Sequence, residues 1–563
     1  MTRRLQVLST DVLVIGSGAA GLRAAIGAAQ TGAEVIIAAM GSGSSPGITA
    51  LNVLLSDHST VDSEERFVAD TTAAAGDLGN PLLVQMLVRE SARLVQELEN
   101  IGICFDRGGS GYRLRQVMGS SIPRSLCKGD LLGSHVLQRL SELAASMPEI
   151  TMQRGLRMIS LNSCNGQVVG AFGFHMRTSR PVVVIAQSTV VAAGGLGHLY
   201  PFSTNPSDVL GDGCAMALDV GADLVDMEFI QFEPTIAIPP TKSTPRNGFR
   251  SRGLVVPTAL FADGAVLYDR NGSVIYAGES EGGSRVLSKE ALSRRIFECV
   301  SSGLGGPLGG VFMDLRNVPT EKLRTYPELL SSAEAIGIKI MSEPFEVRPA
   351  YHYTMGGIRI NERCETSLPG LFAAGEAAGG IHGAGRIAGN SATDTLVFGA
   401  IAGKHAALRA RTMSQKGWEE VEDEVVESCL ESILSRGTIC REKAAELIIK
   451  MQQIMDACVG IVRTENGLMD ALEGIGELRA DYLSGVRLDR SATDDLEALM
   501  ASIEVSHALT NAESVTRAAL ERRESRGAHY RKDYPHEDRN QQRSLLVRKV
   551  RGEVIVAPVG STG

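Results

Sequence analysis

Apolar positions along the chain form short continuous runs first and helix-spaced patterns later. Residues 12–15, 190–193 and 371–374 are continuous runs of apolar side chains. Runs of this length predict parallel strands that are covered on both faces. Further on, "EVVESCLESIL" and "KAAELIIKMQQIMDACV" space their apolar residues as helices do. The pattern predicts an α/β region followed by a helical one.

A glycine turn follows the first predicted strand. Gly16, Gly18 and Gly21 fit G-x-G-x-x-G, and Ala19 and Ala20 begin the helix behind it. The first glycine permits the turn, the second lets backbone approach a pyrophosphate, and the third lets the helix pack on the strand. Unpaired N–H groups at the helix start favour phosphate. The stretch therefore predicts a dinucleotide site.

The second strand lacks the acidic residue that a dinucleotide ribose usually meets. It ends in Ala38, Ala39 and Met40, whose side chains accept no hydroxyl proton. This absence weakens an NAD site and favours FAD with altered adenosine contacts.

Two later glycine turns add further contacts for a cofactor. Gly194 follows the strand at 190–193, and Asp212 begins a helix soon after it. Gly375 and Glu376 follow the strand at 371–374, and the Glu376 carboxylate suits a ribose hydroxyl. Three such strand ends, spread over most of the sequence, predict one long bent cofactor, for which FAD fits best.

Composition narrows the class of protein. A chain of 563 residues predicts two to four domains, and 44% hydrophobic with 21% charged residues is typical of a folded globular protein. A net charge of −9 argues against nucleic-acid binding, and no apolar stretch predicts direct membrane insertion. Nine scattered cysteines without a Cys/His cluster predict reduced thiols, no metal site and a cytoplasmic location.

Longer motifs carry a resemblance to a known family. "VLVIGSGAAGLRAA", "MEFIQFEPT", "RPAYHYTMGGI", "LPGLFAAGEAAGG", "HGAGRIAGNSATDTLVFG" and "RESRGAHYRKDYP" resemble the fumarate reductase/succinate dehydrogenase flavoprotein family, which includes L-aspartate oxidase. The resemblance implies an α/β fold in which a Rossmann-like FAD-binding domain, residues 1–235 and 350–410, is interrupted by an α+β capping domain at 236–349. A helical bundle at 411–530 and a polar tail at 531–563 would follow.

The resemblance also implies roles at a reaction centre. Arg386 and His352 match the residues that bind the substrate carboxylate in this family. His382 either binds substrate or holds its loop by a hydrogen bond. Ser391 matches a flavin-contacting serine, although a helix N-cap would explain it as well. Ser44 lies in the loop where other members carry a histidine bound covalently to flavin, so FAD should be non-covalent here.

Departures from the family pattern point to an altered substrate. Glu233 in "IQFEPT" replaces a substrate-binding histidine, and a carboxylate there repels a dicarboxylate unless it is protonated. It would face an ammonium or hydroxyl group, or else form a salt bridge in a remodelled loop. Lys289 takes the place of the proton-donating arginine, although a solvated helix surface or a register shifted towards Arg285, Arg294 or Arg295 remains open. Thr258 is retained, whereas its neighbours are apolar.

The sequence thus predicts an FAD-dependent oxidoreductase that transfers hydride between flavin and a small carboxylate other than plain fumarate. One alternative is amine oxidation of the L-aspartate oxidase kind. Another is an electron-transfer flavoprotein subunit without fumarate chemistry. An iron–sulfur or other electron-transfer subunit is the expected partner.

Overall fold

The computed structural model describes residues 5–55, 62–109, 111–240, 253–278, 287–412, 438–485 and 496–560. The predicted helix "EVVESCLESIL", Arg285 and most of the proline-rich loop expected at the start of the cap lie outside these residues.

Helices of the described residues range from one turn to 26 residues. They are α1 (Ala19–Gln30), α2 (Glu64–Ala74), α3 (Pro81–Asn100), α4 (Leu132–Ser146), α5 (Asp212–Asp219), α6 (Lys289–Cys299), α7 (Thr320–Leu323), α8 (Pro327–Ala335), α9 (Asn390–Thr412), α10 (Arg441–Cys458), α11 (Glu465–Gly485) and α12 (Leu496–Glu521).

Strands of the same residues form three large sheets and two small ones. They are β1 (Gln6–Ile15), β2 (Val35–Ala39), β3 (Leu51–Asn52), β4 (Arg107–Gly108), β5 (Gly111–Tyr112), β6 (Ser125–Leu126), β7 (Ile150–Arg154), β8 (Leu156–Cys164), β9 (Gln167–His175), β10 (Arg180–Val191), β11 (Leu224–Val225), β12 (Ile230–Ala237), β13 (Leu254–Val255), β14 (Val266–Tyr268), β15 (Val274–Ala277), β16 (Val311–Asp314), β17 (Phe345–Thr354), β18 (Gly357–Arg359), β19 (Leu371–Ala373), β20 (Ala378–Gly379), β21 (Leu545–Val550) and β22 (Glu553–Pro558).

The largest sheet brings the three predicted strand ends together. Its order is β7-β2-β1-β10-β9-β8, and β19 pairs with the end of β10. In the parallel pairings Ile15 lies beside Val191, and Val191 beside Ala373. The apolar runs are buried on both faces, as the sequence predicts. Because parallel strands share a carboxyl edge, all three glycine turns leave the sheet at the same place.

Helix α1 packs closely against α9. Gly403 in α9 lies so near the Ala24 carbonyl of α1 that a Cβ atom there would overlap it. Glycine is therefore required where the two backbones meet. This contact places the start of α9, which follows Arg386, beside the glycine turn of α1.

The segment predicted as the cap contributes to an antiparallel sheet in the order β13-β12-β17-β16-β14-β15. It has a hydrophobic core of its own, which includes Leu267, Leu292 and Val347. Strands β12 and β17 pair with each other and run through the predicted domain boundaries at 235/236 and 349/350. The chain therefore enters and leaves the cap along two continuous strands.

The C-terminal region differs from the sequence-based expectation at its end. Helix α10 confirms the pattern "KAAELIIKMQQIMDACV", and α11 and α12 follow it. The segment expected as a polar tail instead contains the hairpin β21–β22, which joins the sheet β20-β18-β11-β21-β22. Its apolar residues Leu545, Leu546 and Val547 are buried, which explains why it pairs. No helix in the described part of the chain has the length and apolar character that a membrane span needs.

Candidate active site

A cavity of about 1350 Å³ begins at the glycine turn after β1 and extends to the cap. It is larger than most small-molecule sites, which suits a dinucleotide together with a substrate. Most predicted site residues lie in its wall. They are Gly16, Gly18, Ala20, Ser44, Gly194, Asp212, Glu233, Thr258, Lys289, His352, Glu376, Arg386 and Ser391.

Four predicted site residues, Ala19, Gly21, Gly375 and His382, do not line the cavity. Gly21 packs α1 onto the carbonyl of Gly16, Ala19 donates its N–H to Ser45 Oγ at 2.9 Å, and Gly375 forms a turn with φ of +66°. These three support the wall from behind. His382 is buried against the Tyr353 ring and its Nε2 lies 3.2 Å from Asp394 Oδ2, so it holds the loop instead of facing substrate.

The phosphate end of the cavity is made by the first glycine turn. Gly16 has a φ of +116°, and a Cβ atom there would overlap the Ala192 carbonyl. Gly18 is the N-cap of α1 and has no side chain to occupy the first turn. Backbone N–H groups at a helix start, with their positive dipole end, favour phosphate. The cradle therefore fits the pyrophosphate of FAD.

Asp212 is held as a carboxylate by two basic side chains. Arg157 Nη2 lies 3.0 Å from Asp212 Oδ2, and His507 Nδ1 lies 2.9 Å from Oδ1. Burial raises the pKa of Asp212, but Arg157 and His507 outweigh it and hold the pKa below its usual range. Asp212 is thus a charged residue of the wall that is already paired with protein groups.

Glu376 is a partly buried carboxyl group whose pKa shifts in the opposite direction from that of Asp212. Its Oε1 accepts hydrogen bonds from the Thr354 backbone N–H at 3.1 Å and from the Tyr351 hydroxyl at 3.2 Å. Burial raises the pKa of Glu376 to about 7, although these bonds and the charge of Arg386 act in the other direction. The group can therefore donate or accept a hydrogen bond near neutral pH.

An acidic residue that the sequence did not predict lies close to the end of β2. Asp208, from the loop before α5, lines the cavity and lies against Gly41. It approaches the strand end where Ala38, Ala39 and Met40 offer no acceptor. The pattern gave no signal for it because Asp208 is about 170 residues away from β2 in the chain.

Arg386 is fixed in the cavity wall by several neighbours. Its guanidinium carbon lies 4.3 Å from the centre of the Tyr353 ring. Three of its N–H groups donate to the Ile387 carbonyl, to Ser391 Oγ and to Gln231 Oε1, at 3.3, 3.0 and 2.8 Å. Because a guanidinium has five N–H groups, two are left without an acceptor among the described residues.

His352 extends from β17 into the same part of the cavity. Its Nδ1 is hydrogen-bonded to Thr204 Oγ1 at 3.0 Å, and its Nε2 lies 3.8 Å from Glu233 Oε2. Enclosure lowers the pKa of His352 well below its usual range, and the charges of Lys289 and Arg386 lower it further. His352 is therefore a neutral hydrogen-bonding group at neutral pH.

Glu233 and Lys289 form an ion pair inside the cavity. Glu233 lies on β12 next to Pro234, where the pairing with β17 shifts register and turns the side chain inward. Lys289 is the first residue of α6, whose N-cap is Ser288. Both side chains are largely buried, with exposed fractions of 3% and 10%. The structure thus favours the salt-bridged alternative for Glu233 and excludes a solvated surface position for Lys289.

The remaining predicted residues lie around these groups. Thr258 opens a short 3₁₀ helix of the cap and lines the cavity together with Ala259. Phe261 turns away and packs on Tyr276 at 4.8 Å between ring centres. Ser44 Oγ donates to Asn205 Oδ1 at 2.6 Å, and both line the cavity.

Comparisons with known proteins agree with this geometry. A family profile described as "FAD binding domain" matches residues 11–392, and one described as "Fumarate reductase flavoprotein C-term" matches residues 449–554. The chain is 34% identical to a fumarate reductase (CoM/CoB) subunit of Methanothermobacter marburgensis, covering 97% of this chain and 98% of the relative. The chain belongs to the fumarate reductase/succinate dehydrogenase flavoprotein family.

Two further relatives show how widely the similarity extends. L-aspartate oxidase of Mycobacterium tuberculosis is 33% identical, covering 96% of this chain and 95% of the relative. A structure of Escherichia coli quinol fumarate reductase superposes with a TM-score of 0.88 at 29% identity, covering 98% of this chain and 97% of that one. The expected fold class and FAD cofactor are confirmed, and the chain is an FAD-dependent oxidoreductase of this family.

Proposed function

We propose that this flavoprotein reduces or oxidises the carbon–carbon bond beside the carboxylate of a small acid other than plain fumarate. The observation that carries the proposal is that Arg386, His352 and Lys289 line the same cavity as the glycine turns. A cation for a carboxylate, a neutral donor and a proton-bearing ammonium thus lie within reach of one cofactor cleft.

Several wall residues would hold the cofactor. FAD bound along the cleft would supply or accept the two electrons and the hydrogen at one carbon of the substrate. Gly16, Gly18 and Ala20, which line the cavity, would hold the phosphates, and Glu376 and Asp208 would bind hydroxyl groups. The loop 41–52 has no histidine, so we infer that FAD is held non-covalently.

Arg386 and His352 would bind and orient the substrate carboxylate. The guanidinium keeps two N–H groups for this purpose, and the ring of Tyr353 and the bond to Gln231 restrict its movement. A fixed donor stabilises the charge that develops on the carboxylate side in the transition state, because it needs no reorganisation. Lys289 would give its Nζ proton to the second carbon in reduction and receive one in oxidation.

Replacing Arg386 with lysine tests the proposal. The anaerobic protein is reduced with dithionite and mixed with a panel of unsaturated acids, and flavin reoxidation is followed by absorbance. We expect Arg386→Lys to keep its FAD, measured after acid release, and to react at least about 100-fold more slowly with the best acid, since a lysine offers no planar fork. Arg363→Lys, at an exposed position, is the matched control. Equal rates for Arg386→Lys and wild type would contradict the proposal.

Amine oxidation is the second candidate function, and Glu233 is the observation that favours it. A carboxylate in the cavity could receive the ammonium group of an amino acid. Anaerobic reduction of the oxidised flavin by L-aspartate, with no reaction of acids that lack the amine, would replace the first proposal with this one.

An electron-transfer partner belongs to the proposal as well. Relatives in the family are named as subunits of fumarate reductases, which supports a second chain that carries electrons, such as an iron–sulfur protein. If such a partner co-purifies while no acid or amine reacts, the chain is an electron-transfer subunit without fumarate chemistry. A cytoplasmic location remains the expectation from the reduced cysteines.

A further inference from the structure

The ion pair between Glu233 and Lys289 changes the charge that a substrate meets. In the described wall near the cap, Arg386 and Lys289 are cationic, Glu233 is anionic, and His352 is neutral because its pKa is lowered. Since Lys289 is already neutralised by Glu233, one positive charge remains for the substrate. A dicarboxylate would bring two negative charges.

The negative charge of Glu233 lies where a second substrate carboxylate would bind. Its carboxylate lies 3.8 Å from His352 Nε2, so a second substrate carboxylate that approached His352 would also approach Glu233. Two like charges at about 4 Å repel each other more strongly in a cleft that is partly shielded from water than they do in bulk solvent. Glu233 itself is buried and tied to Lys289, so it cannot move away without breaking that pair.

The described wall around Thr258 adds no further positive charge. The two other arginines of the wall, Arg115 and Arg157, each lie beside a carboxylate of the protein, Asp106 at 3.8 Å and Asp212 at 3.0 Å. Leu254, Val255, Pro257 and Ala259 line the part around Thr258, which supplies a neutral hydroxyl. Such a surface suits an uncharged, mostly apolar group.

We propose that the substrate is an α,β-unsaturated monocarboxylate with an uncharged group on its β-carbon, and that Glu233 excludes dicarboxylates. This inference rests on the proposed function and specifies its substrate class. Arg386 binds the single carboxylate, and the uncharged end lies against the cap.

Besides the unsaturated acid, the reaction needs only the reduced cofactor and a proton. With reduced FAD bound, the C=C π bond would break as Cβ gained the hydride that the cofactor supplies and Cα gained the Nζ proton of Lys289. The acid gains two electrons and the flavin loses two. Solvent returns a proton to Lys289, and an external electron donor, dithionite in the test below, reduces the flavin again.

Fumarate and monomethyl fumarate provide the test, because they share one carbon skeleton and differ by one carboxylate charge. The FAD-loaded chain is reduced with dithionite, and kcat/KM for flavin reoxidation is measured with each acid and with crotonate. We expect wild type to prefer monomethyl fumarate over fumarate by at least 100-fold, and crotonate to react as well. Glu233→Gln should reduce that preference at least tenfold, mainly through a lower KM for fumarate.

Two further variants separate charge from packing. Glu233→Asp keeps the charge and should keep the preference for the monoester. Glu298→Gln, which removes a charge from an exposed position on the same helix as Lys289, should behave as wild type. FAD content and circular dichroism are recorded for each variant.

Each outcome bears on a different claim. An unchanged ratio in Glu233→Gln with retained FAD would overturn the monocarboxylate inference while leaving the proposed function standing. A wild-type preference for fumarate would overturn the monocarboxylate inference and the exclusion of plain fumarate, while leaving the carbon–carbon redox chemistry of the proposed function standing. If none of the acids reoxidises the flavin in any of these proteins, the proposed function fails and the inference fails with it.

Discussion

Glu376 shows how enclosure changes the chemistry of one side chain. Two hydrogen bonds and the charge of Arg386 favour its ionised form, yet burial raises its pKa to about 7. Loss of hydration therefore outweighs three favourable contacts. In a typical surface position the same carboxyl group would be ionised above about pH 5.

The raised pKa makes the stability of the FAD-free protein depend on pH. Below about pH 4.5 Glu376 is protonated in both the folded and the unfolded chain. Between about 4.5 and 7 only the unfolded chain releases the proton, so the free energy of unfolding falls as pH rises. The total effect is on the order of 3 kcal/mol.

Glu376→Gln isolates this contribution, because glutamine has the same shape and does not titrate. We expect the Tm of the FAD-free variant to rise relative to wild type when the pH is changed from 5 to 8. Differential scanning calorimetry at the two values measures it. A Tm difference that is the same at both values would show that Glu376 ionises normally in the folded protein.

Individual residues were predictable where a motif carries them. Gly16, Gly194 and Glu376 lie in the cavity wall, and each directly follows a recognisable strand. Arg386 and His352, which were predicted from their resemblance to family motifs, lie in the same wall. Contacts between residues that are remote in sequence were not predictable. The pair of Glu233 with Lys289 and the approach of Asp208 to Gly41 depend on how the cap and the loops fold back.

Three elements are joined by one glutamine. Gln231 on β12 accepts from Arg386 Nη2, and its amide N–H groups donate to Glu290 Oε1 on α6 at 2.9 Å and to the Arg386 carbonyl at 3.2 Å. Gln231 is fully buried. The cap helix that carries Lys289 is thereby connected to the loop that carries Arg386.

Gln231→Met should weaken this connection while filling the same space. Leaving buried donors and acceptors without partners costs about 1–3 kcal/mol, so we expect a lower Tm. We also expect a lower rate of flavin reoxidation by the best acid, because Arg386 loses a restraint. Glu290→Gln keeps an amide oxygen that can accept from Gln231 and should lose less of both. A Gln231→Met protein with wild-type Tm and rate would show that the bond has no role.

At the level of elements, sequence patterns located strands better than domain limits. Predicted boundaries at 235/236 and 349/350 fall inside β12 and β17. A family motif marks where function changes along the chain, whereas a strand continues as long as its neighbours pair with it. Glu233 and His352 lie on these two strands, so the cap and the reaction centre share a rigid base.

At the scale of the whole molecule, the last strands belong to the body of the fold. The hairpin β21–β22 pairs with β11, and Arg548 forms a two-bond ion pair with Asp223, at 2.8 and 2.9 Å. The sequence suggested a tail because "YRKDYPHEDRNQQRS", which precedes the hairpin, is polar. Pairing was decided instead by the apolar side chains on the other face, such as Val547.

Truncation after residue 543 should therefore destabilise the protein. Each buried side chain that is lost, including Leu545, Leu546 and Val547, contributes about 1.5–3 kcal/mol. We expect a clearly lower Tm and weaker FAD retention on gel filtration, while truncation after residue 560 serves as the control. Wild-type Tm for the shorter protein would show that the hairpin adds nothing to the sheet.

The cleft for FAD is assembled from chain segments between Ile15 and Thr395, which are separated by about two thirds of the polypeptide. Most of the chain must therefore be synthesised before FAD can bind. FAD can bind to the completed cleft, but it cannot assist folding of the first part of the nascent chain. We therefore expect FAD to bind after the chain has been synthesised at least as far as Thr395.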